Sequence, residues 1–417
     1  MKQLLNKIRK NKDATTVAKN FGYLTAMQVA GYVFPLLTIP YLARVIGVDK
    51  FGEIAFAAAI VLWFKTVSEW GFNYTATRDI AQNRDDKDAV SQIFSNVLWA
   101  RLLLAMLSFA LLYLAIELVP YLNDKKLLLL LTFLTVPADI FLPQWFFQGL
   151  ERMKFITVFS VLTKLLFTIG VFVFIKEKDD FILQPLLTSI GALVSGVGAM
   201  YLILVSWSYR LKKPQLGQVF NTIKNSSDVF INTIMPNLYN SFSTVLLGFF
   251  GGSTSNGRLD AGVKFVTITQ SFMELFSRAF FPFLSRKINK HHLYEKISIY
   301  IAFVFALGLW VSAPVIIKLF YTPEFYPAID VLRVVSFSIL FLALIDVYGK
   351  NYMIIAGYER ELRNITVVWS IVGFILAWPL IYYFDFIGAA LTITITRVLL
   401  GISIMLVAKQ KMLIKGT

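Results

Sequence analysis

The sequence predicts an all-α integral membrane protein with about twelve transmembrane helices, in two six-helix lobes around a central cavity. Three observations lead there. Of 417 residues, 57% are hydrophobic and 16% charged, with a mean hydropathy of +0.67, whereas a soluble chain carries about a quarter charged residues. Apolar stretches of roughly 20 residues, enough to cross a ~30 Å hydrocarbon core, recur from Phe21 to Ala408. The polar connectors between them are short, and none is large enough to fold as a soluble domain.

In chain order the expected spans lie near 21–44, 52–76, 91–118, 126–148, 155–175, 181–207, 229–250, 259–284, 297–319, 328–355, 364–384 and 386–408. The longest internal connector, "SYRLKKPQLGQVFNTIKNSSD", follows the sixth span and divides the chain into lobes 1–210 and 211–417. Six plus six is an organisation used where two repeats enclose a pathway. The halves share no strong identity, so repetition rests on topology. Orientation follows from loop charge. With the N-terminus inside, the cytoplasmic segments hold roughly 24 Lys/Arg and the opposite loops about 6, which puts both termini in the cytoplasm.

Several function classes are excluded. The net charge of +15 punctuates apolar runs and is not gathered on a basic face, so nucleic acid is not the expected partner. There is no cysteine for disulfides or thiolate metal sites, and the two histidines, His291 and His292, share one loop. Neither a metal site nor a Ser-His-Asp arrangement is expected. No Walker-type loop is present, so the chain is read as no enzyme and as needing no cofactor. The N-terminal "MKQLLNKIRKNKDATTVAKN" is basic and polar without a small-residue cleavage site, unlike a cleaved signal peptide.

The informative residues are charges inside the spans. In "LWFKTVSEWGF" (61–71), Lys65 and Glu69 stand one helical turn apart, where a charge at mid-bilayer costs roughly 2.5–3.5 kcal/mol. At i,i+4 they share a face and can neutralise each other. Glu274 and Arg278 repeat that spacing in the eighth span, and Lys264, Ser271 and Arg278 follow one another at seven-residue intervals on nearly one face. About ten embedded Lys/Arg remain against about five acids, a net of about +5. Arg44, Arg101, Glu117, Lys318, Arg333 and Lys350 are assigned to interfacial snorkelling. Polar stripes in two corresponding helices read as walls of a hydrated cavity, the bland alternative being ion pairs buried for packing. The basic excess favours an anionic, phosphate- or pyrophosphate-bearing solute over a cationic drug. Pro35 and Pro40 in the first span and Pro236 in the seventh are hinge candidates, since each removes a backbone hydrogen bond.

The stretches "LLTIPYLARVIGVDKFGEIAFA" (36–57), "GFNYTATRDIAQNRDD" (71–86) and "LPQWFFQGLERMKF" (142–155) resemble signatures of the bacterial O-antigen translocases, the Wzx/RfbX-like polysaccharide flippases of the multidrug/oligosaccharidyl-lipid/polysaccharide exporter superfamily. The likeness extends over the whole chain in span number and loop placement, with the motifs densest in the first third. It implies a flippase of the bacterial inner membrane. By alternating access, such a protein carries undecaprenyl-pyrophosphate-linked repeat units from the cytoplasmic to the periplasmic face. The implied partners are the lipid-linked oligosaccharide and membrane lipids, with a polysaccharide polymerase and a chain-length regulator downstream. Matching motif positions include Arg44, Arg78 and Asp79, at a cavity mouth or as topological anchors. Lys65, Lys264 and Arg278 are the expected pyrophosphate contacts. Glu69 and Glu274 are expected to couple an ion or pair with charge, and coupling to a proton gradient, a sodium gradient or the membrane potential stays open. The alternatives are a small-molecule cation antiporter of the same superfamily and an integral glycan polymerase or transferase, the latter disfavoured by the lack of a large extracytoplasmic loop.

Overall fold

The structure, a computed structural model, describes residues 12–286 and 291–415, with side chains from Gly22 to Leu413 apart from Leu24, 278–279, 281–283 and 285–290. Helices follow where apolar length dictates them, and the expected stretches are largely helical, with α-helix interrupted at 70–71, 141–143 and 235–240. Among the described residues no strand occurs. Among the described residues seven helices are long and apolar enough to cross a membrane by length and composition, the last of them the 55-residue stretch Glu359–Leu413. Large apolar side chains such as Leu118, Phe174 and Val315 stay exposed, while Ala and Ser are frequent among the buried positions beside Leu, Ile and Phe. An apolar exterior is expected of helices that face acyl chains, and small buried residues let helices pack closely.

The chain divides into two compact units, one running to Leu42 and resuming at Val61–Ile231, the other comprising Ala43–Ile60 and Asn232–Thr417. The first unit takes most of α1 (Lys12–Glu69), then α2 (Phe72–Gln82), α3 (Lys87–Leu118), α4 (Lys126–Phe133), α5 (Thr135–Ile140), α6 (Gln144–Gly149), α7 (Met153–Phe174), α8 (Leu183–Tyr201) and α9 (Leu216–Ile234) up to Ile231. A turn at Trp70 and Gly71, both at positive φ, redirects α1 into α2. Gly71 sits at φ 76°, and a Cβ there would lie 2.8 Å from Val229, so both backbone and space require glycine. The Trp70 indole stacks on Phe230 at 3.9 Å and donates to the Ile223 carbonyl at 3.0 Å.

The second unit holds α10 (Ser241–Phe250), α11 (Gly252–Arg286), α12 (His291–Phe320), α13 (Ala328–Leu344) and α14 (Glu359–Lys415), with a π-helical segment at Ile345–Ile354. The part of α1 that belongs here turns at Gly47, φ 72°. Its residues 48–52 lie so close to 253–257 that a Cβ on Gly52 or Gly257 would run into the Ser253 or Val48 backbone. The long α14 breaks at Asp385, φ 50°, whose Oδ2 accepts a 2.6 Å hydrogen bond from Ser255. The π segment adds a residue per turn, and Asn351 donates back to the Asp346 carbonyl at 3.1 Å. Its Tyr348 and Tyr352 pack in one buried cluster with Leu284, Tyr294, Leu400 and Ile404.

The prolines behave differently from one another. α1 continues through Pro35 and Pro40, and its backbone break comes only at Gly47. Thr38 Oγ1 donates to the Phe34 and Pro35 carbonyls there. Pro236 stands in the 3-10 turn Met235–Leu238, which separates α9 from α10.

Candidate functional site

In the first unit, Lys65 is drawn into a quartet of charges. Its Nζ lies 3.8 Å from Glu69 Oε1 and 3.3 Å from Asp139 Oδ1. Arg101 Nη2 reaches the other oxygen of the same carboxylate, Asp139 Oδ2, at 2.9 Å. The Arg101 side chain is 3% exposed, Asp139 27%, Lys65 34% and Glu69 22%, so the cluster grades from dry to wet. Two cations and two carboxylates sum to zero when both acids are ionised. In that state the quartet has no net attraction for an anion. Protonating either acid leaves +1.

Local sequence explains why Asp139 serves as the shared acceptor. "TVPADIFLP" places it between Pro137 and Pro143, where each proline deletes a backbone donor. The helical run therefore breaks into α4, α5 and α6. Irregular backbone at membrane depth persists only where protein or a polar cavity covers it. Arg101 is held near the middle of α3, and its carbonyl accepts from Ser68 Oγ at 3.4 Å.

Among the described residues of the second unit, the embedded charges pair more locally. Lys264 Nζ bonds Asp260 at 2.9 Å, one turn back on α11, and rests 5.2 Å above the Phe51 ring. Asp260 stands outside the acids counted from the sequence, so the embedded excess is smaller than that count. Glu274 accepts from Gln270 at 3.4 Å and lies 4.0 Å from Lys350, which also meets Asp346 at 2.6 Å. The Arg278 side chain lies outside the described residues. Arg44 is exposed, three residues before the Gly47 turn. Arg78 and Asp79 form an exposed neighbour pair at 2.9 Å and line a polar crevice of about 100 Å³ with Thr75, Asn96, Thr222 and Asn225.

Three polar features escaped the sequence. Arg101 reads as a snorkelling residue, yet it is buried and ion-paired. Asp139 is visible as an embedded acid, and only the flanking prolines signal that its helix opens there. Arg397 is 5% exposed and among the described residues is bonded to neutral groups, with Nη1 donating to Ser338 at 3.0 Å and Nη2 to Asn240 at 3.3 Å. Nothing in local periodicity marks those partners.

The sequence model of the family described as "Polysaccharide biosynthesis protein" matches residues 17–288. The chain is 29% identical over 413 residues to an Escherichia coli (strain K12) protein named "Putative O-antigen transporter", covering 97% of this chain and 100% of that one. In fold it is similar to the lipid II flippase MurJ in an inward closed conformation, with a TM-score of 0.74 at 16% identity over 92% of this chain and 87% of that one. It is also similar to an inward-facing multidrug resistance MATE transporter of the MOP superfamily, with a TM-score of 0.63 at 16% identity over 90% and 94% of the two chains.

Proposed function

This chain belongs to the polysaccharide biosynthesis protein family, and from that premise we propose that it is a flippase for undecaprenyl-pyrophosphate-linked oligosaccharide repeat units. The observation that carries the reading is the relation to an O-antigen transporter along that relative's entire length. The all-helical, multi-pass membrane fold supports it. The glycan is an O-antigen or a related surface polysaccharide. The protein works in the bacterial inner membrane with both termini cytoplasmic, moving its substrate outward by alternating access of lobes 1–210 and 211–417. A polysaccharide polymerase and a chain-length regulator receive the product.

In this reading Lys65, Lys264 and Arg278 contact the pyrophosphate, and Glu69 and Glu274 couple the cycle to an ion. The quartet supplies a physical route. When Glu69 takes up a proton, Lys65, Arg101 and Asp139 are left with a net charge of +1 that can attract an anion, while Lys65 keeps Asp139 as a partner at 3.3 Å. Outward movement of one uncompensated negative charge also gains about 2.3 kcal/mol per 100 mV of inside-negative potential.

The test is surface glycan in a deletion strain complemented with wild type or Lys65→Ala at matched membrane levels. Deletion should abolish surface glycan, wild type should restore it, and Lys65→Ala should not. Full rescue by Lys65→Ala keeps the flippase and removes Lys65 from its site. Normal glycan after deletion, in a strain with no second flippase, overturns the reading. A deletion phenotype confined to drug susceptibility would instead favour the antiporter that the multidrug-transporter likeness represents.

A further inference from the structure

The first unit embeds a third cation. Lys164 sits in α7 (Met153–Phe174), eleven residues from one end and ten from the other, so about 15 Å of helix separates it from either end. A lysine side chain extends roughly 6 Å, too short to snorkel out from that depth. Lys65 and Arg101 share two carboxylates. Lys164 makes no ion pair, hydrogen bond or ring contact among the described residues, and it is half-buried.

Its position is built rather than accidental. α7 is fastened to α1 at two levels, by Thr157 Oγ1 donating to the Tyr23 carbonyl at 2.7 Å and by Tyr41 OH donating to the Ile175 carbonyl at 2.7 Å. Between those levels the Lys164 amine faces Gly31 of α1, where an added Cβ would come within 3.0 Å of Nζ. The missing side chain leaves the notch that the ammonium occupies. The seam between α1 and α7 thus carries a lone ammonium. Carboxylates near it would cancel its charge, and among the described residues none bonds it.

We infer that Lys164, seated in the Gly31 notch between α1 and α7, binds the phosphate-bearing headgroup of the polyprenyl diphosphate substrate. The inference rests on the flippase reading and deepens it. Lys65 must first be released from its acids to meet an anion, whereas Lys164 is available without a protonation step. The same chemistry would suit the phosphate of an ordinary anionic lipid, so the test separates the two sources.

Full-length protein is placed in phosphatidylethanolamine nanodiscs, and binding of undecaprenyl diphosphate and of phosphatidylglycerol is measured for wild type, Lys164→Met, Lys164→Arg and Gly31→Ala. Loss of a charge-assisted contact should weaken undecaprenyl diphosphate binding at least about tenfold in Lys164→Met. Lys164→Arg should stay within about threefold of wild type. Gly31→Ala keeps every charge and favours the helix, yet it crowds the amine and should weaken binding in the same direction. That variant keeps the idea testable if Lys164→Met fails to fold. Wild-type binding by Lys164→Met and Gly31→Ala would overturn the Lys164 site and leave the flippase standing. Equal losses for both lipids in Lys164→Met would overturn the diphosphate assignment in favour of a general anionic-lipid contact. Failure of wild type to prefer undecaprenyl diphosphate over phosphatidylglycerol would overturn the flippase reading, and this inference with it.

Discussion

Asp139→Asn should be among the most damaging single-atom-scale changes in the first unit. Its two oxygens serve different cations, Arg101 at 2.9 Å and Lys65 at 3.3 Å. The substitution keeps the shape and removes the charge, leaving Arg101, 3% exposed, beside a neutral amide. Removing one partner of a buried pair costs about 3–5 kcal/mol, because the other charge stays desolvated. Asp139 itself is 27% exposed and Lys65 retains Glu69 at 3.8 Å, so the low end applies, about 3 kcal/mol. For a unit of this size that is a fall in Tm of about 6–12 °C. Intrinsic tryptophan fluorescence on heating purified protein in one detergent, at a fixed scan rate, reads it. The sign of the coupling gives a sharper check. Arg101→Met with Asp139→Asn removes both charges and leaves the Lys65–Glu69 pair, so the double variant should lose less than the sum of the singles by at least about 1 kcal/mol. An unchanged Tm in Asp139→Asn, or strict additivity in the double variant, would refute the quartet as a structural unit.

Three other outcomes are expected. Asn351→Ala removes an amide that donates to Ser277 at 2.6 Å, Tyr294 at 3.0 Å and the Asp346 carbonyl at 3.1 Å; a loss of about 2–3 kcal/mol should appear as lower Tm and loosened hydrogen exchange across 345–354. Gly71→Ala forces a side chain onto φ 76° and against Val229, and should cost about 1–3 kcal/mol, seen as reduced yield and Tm, whereas Gly308→Ala, with open space at its Cβ, should match wild type. Ser255→Ala deprives Asp385 of its 2.6 Å donor at a positive-φ break and should lower Tm by about 2–4 °C for roughly 1 kcal/mol, with no change if that hydrogen bond holds nothing in place.

Much of the architecture is legible in the sequence because the bilayer imposes its own ruler. Apolar length fixes where helices form, and the expected stretches are largely helical. Spacing within one helix is equally transparent. Lys65 and Glu69 must share a face wherever that helix goes, and Pro236 coincides with a break in the seventh span. Pro35 and Pro40 lie inside α1, which runs through both and turns at Gly47. Proline removes one backbone donor, whereas glycine at positive φ redirects the chain outright.

Only tertiary structure decided which charges are spent and which are left over. Asp139 captures Lys65 and Arg101 across 74 and 38 residues, Asp260 takes Lys264 within one turn, and Lys164 faces a glycine. Composition counted all of these as one basic excess. The physical reason is that helices apolar all round carry no stripe saying which face turns inward. A charge's worth depends on its partner and its desolvation, and both are set by helix rotation and packing. The sequence by itself determined that charge lies inside the membrane helices; the packed structure determined where that charge is cancelled and where it remains.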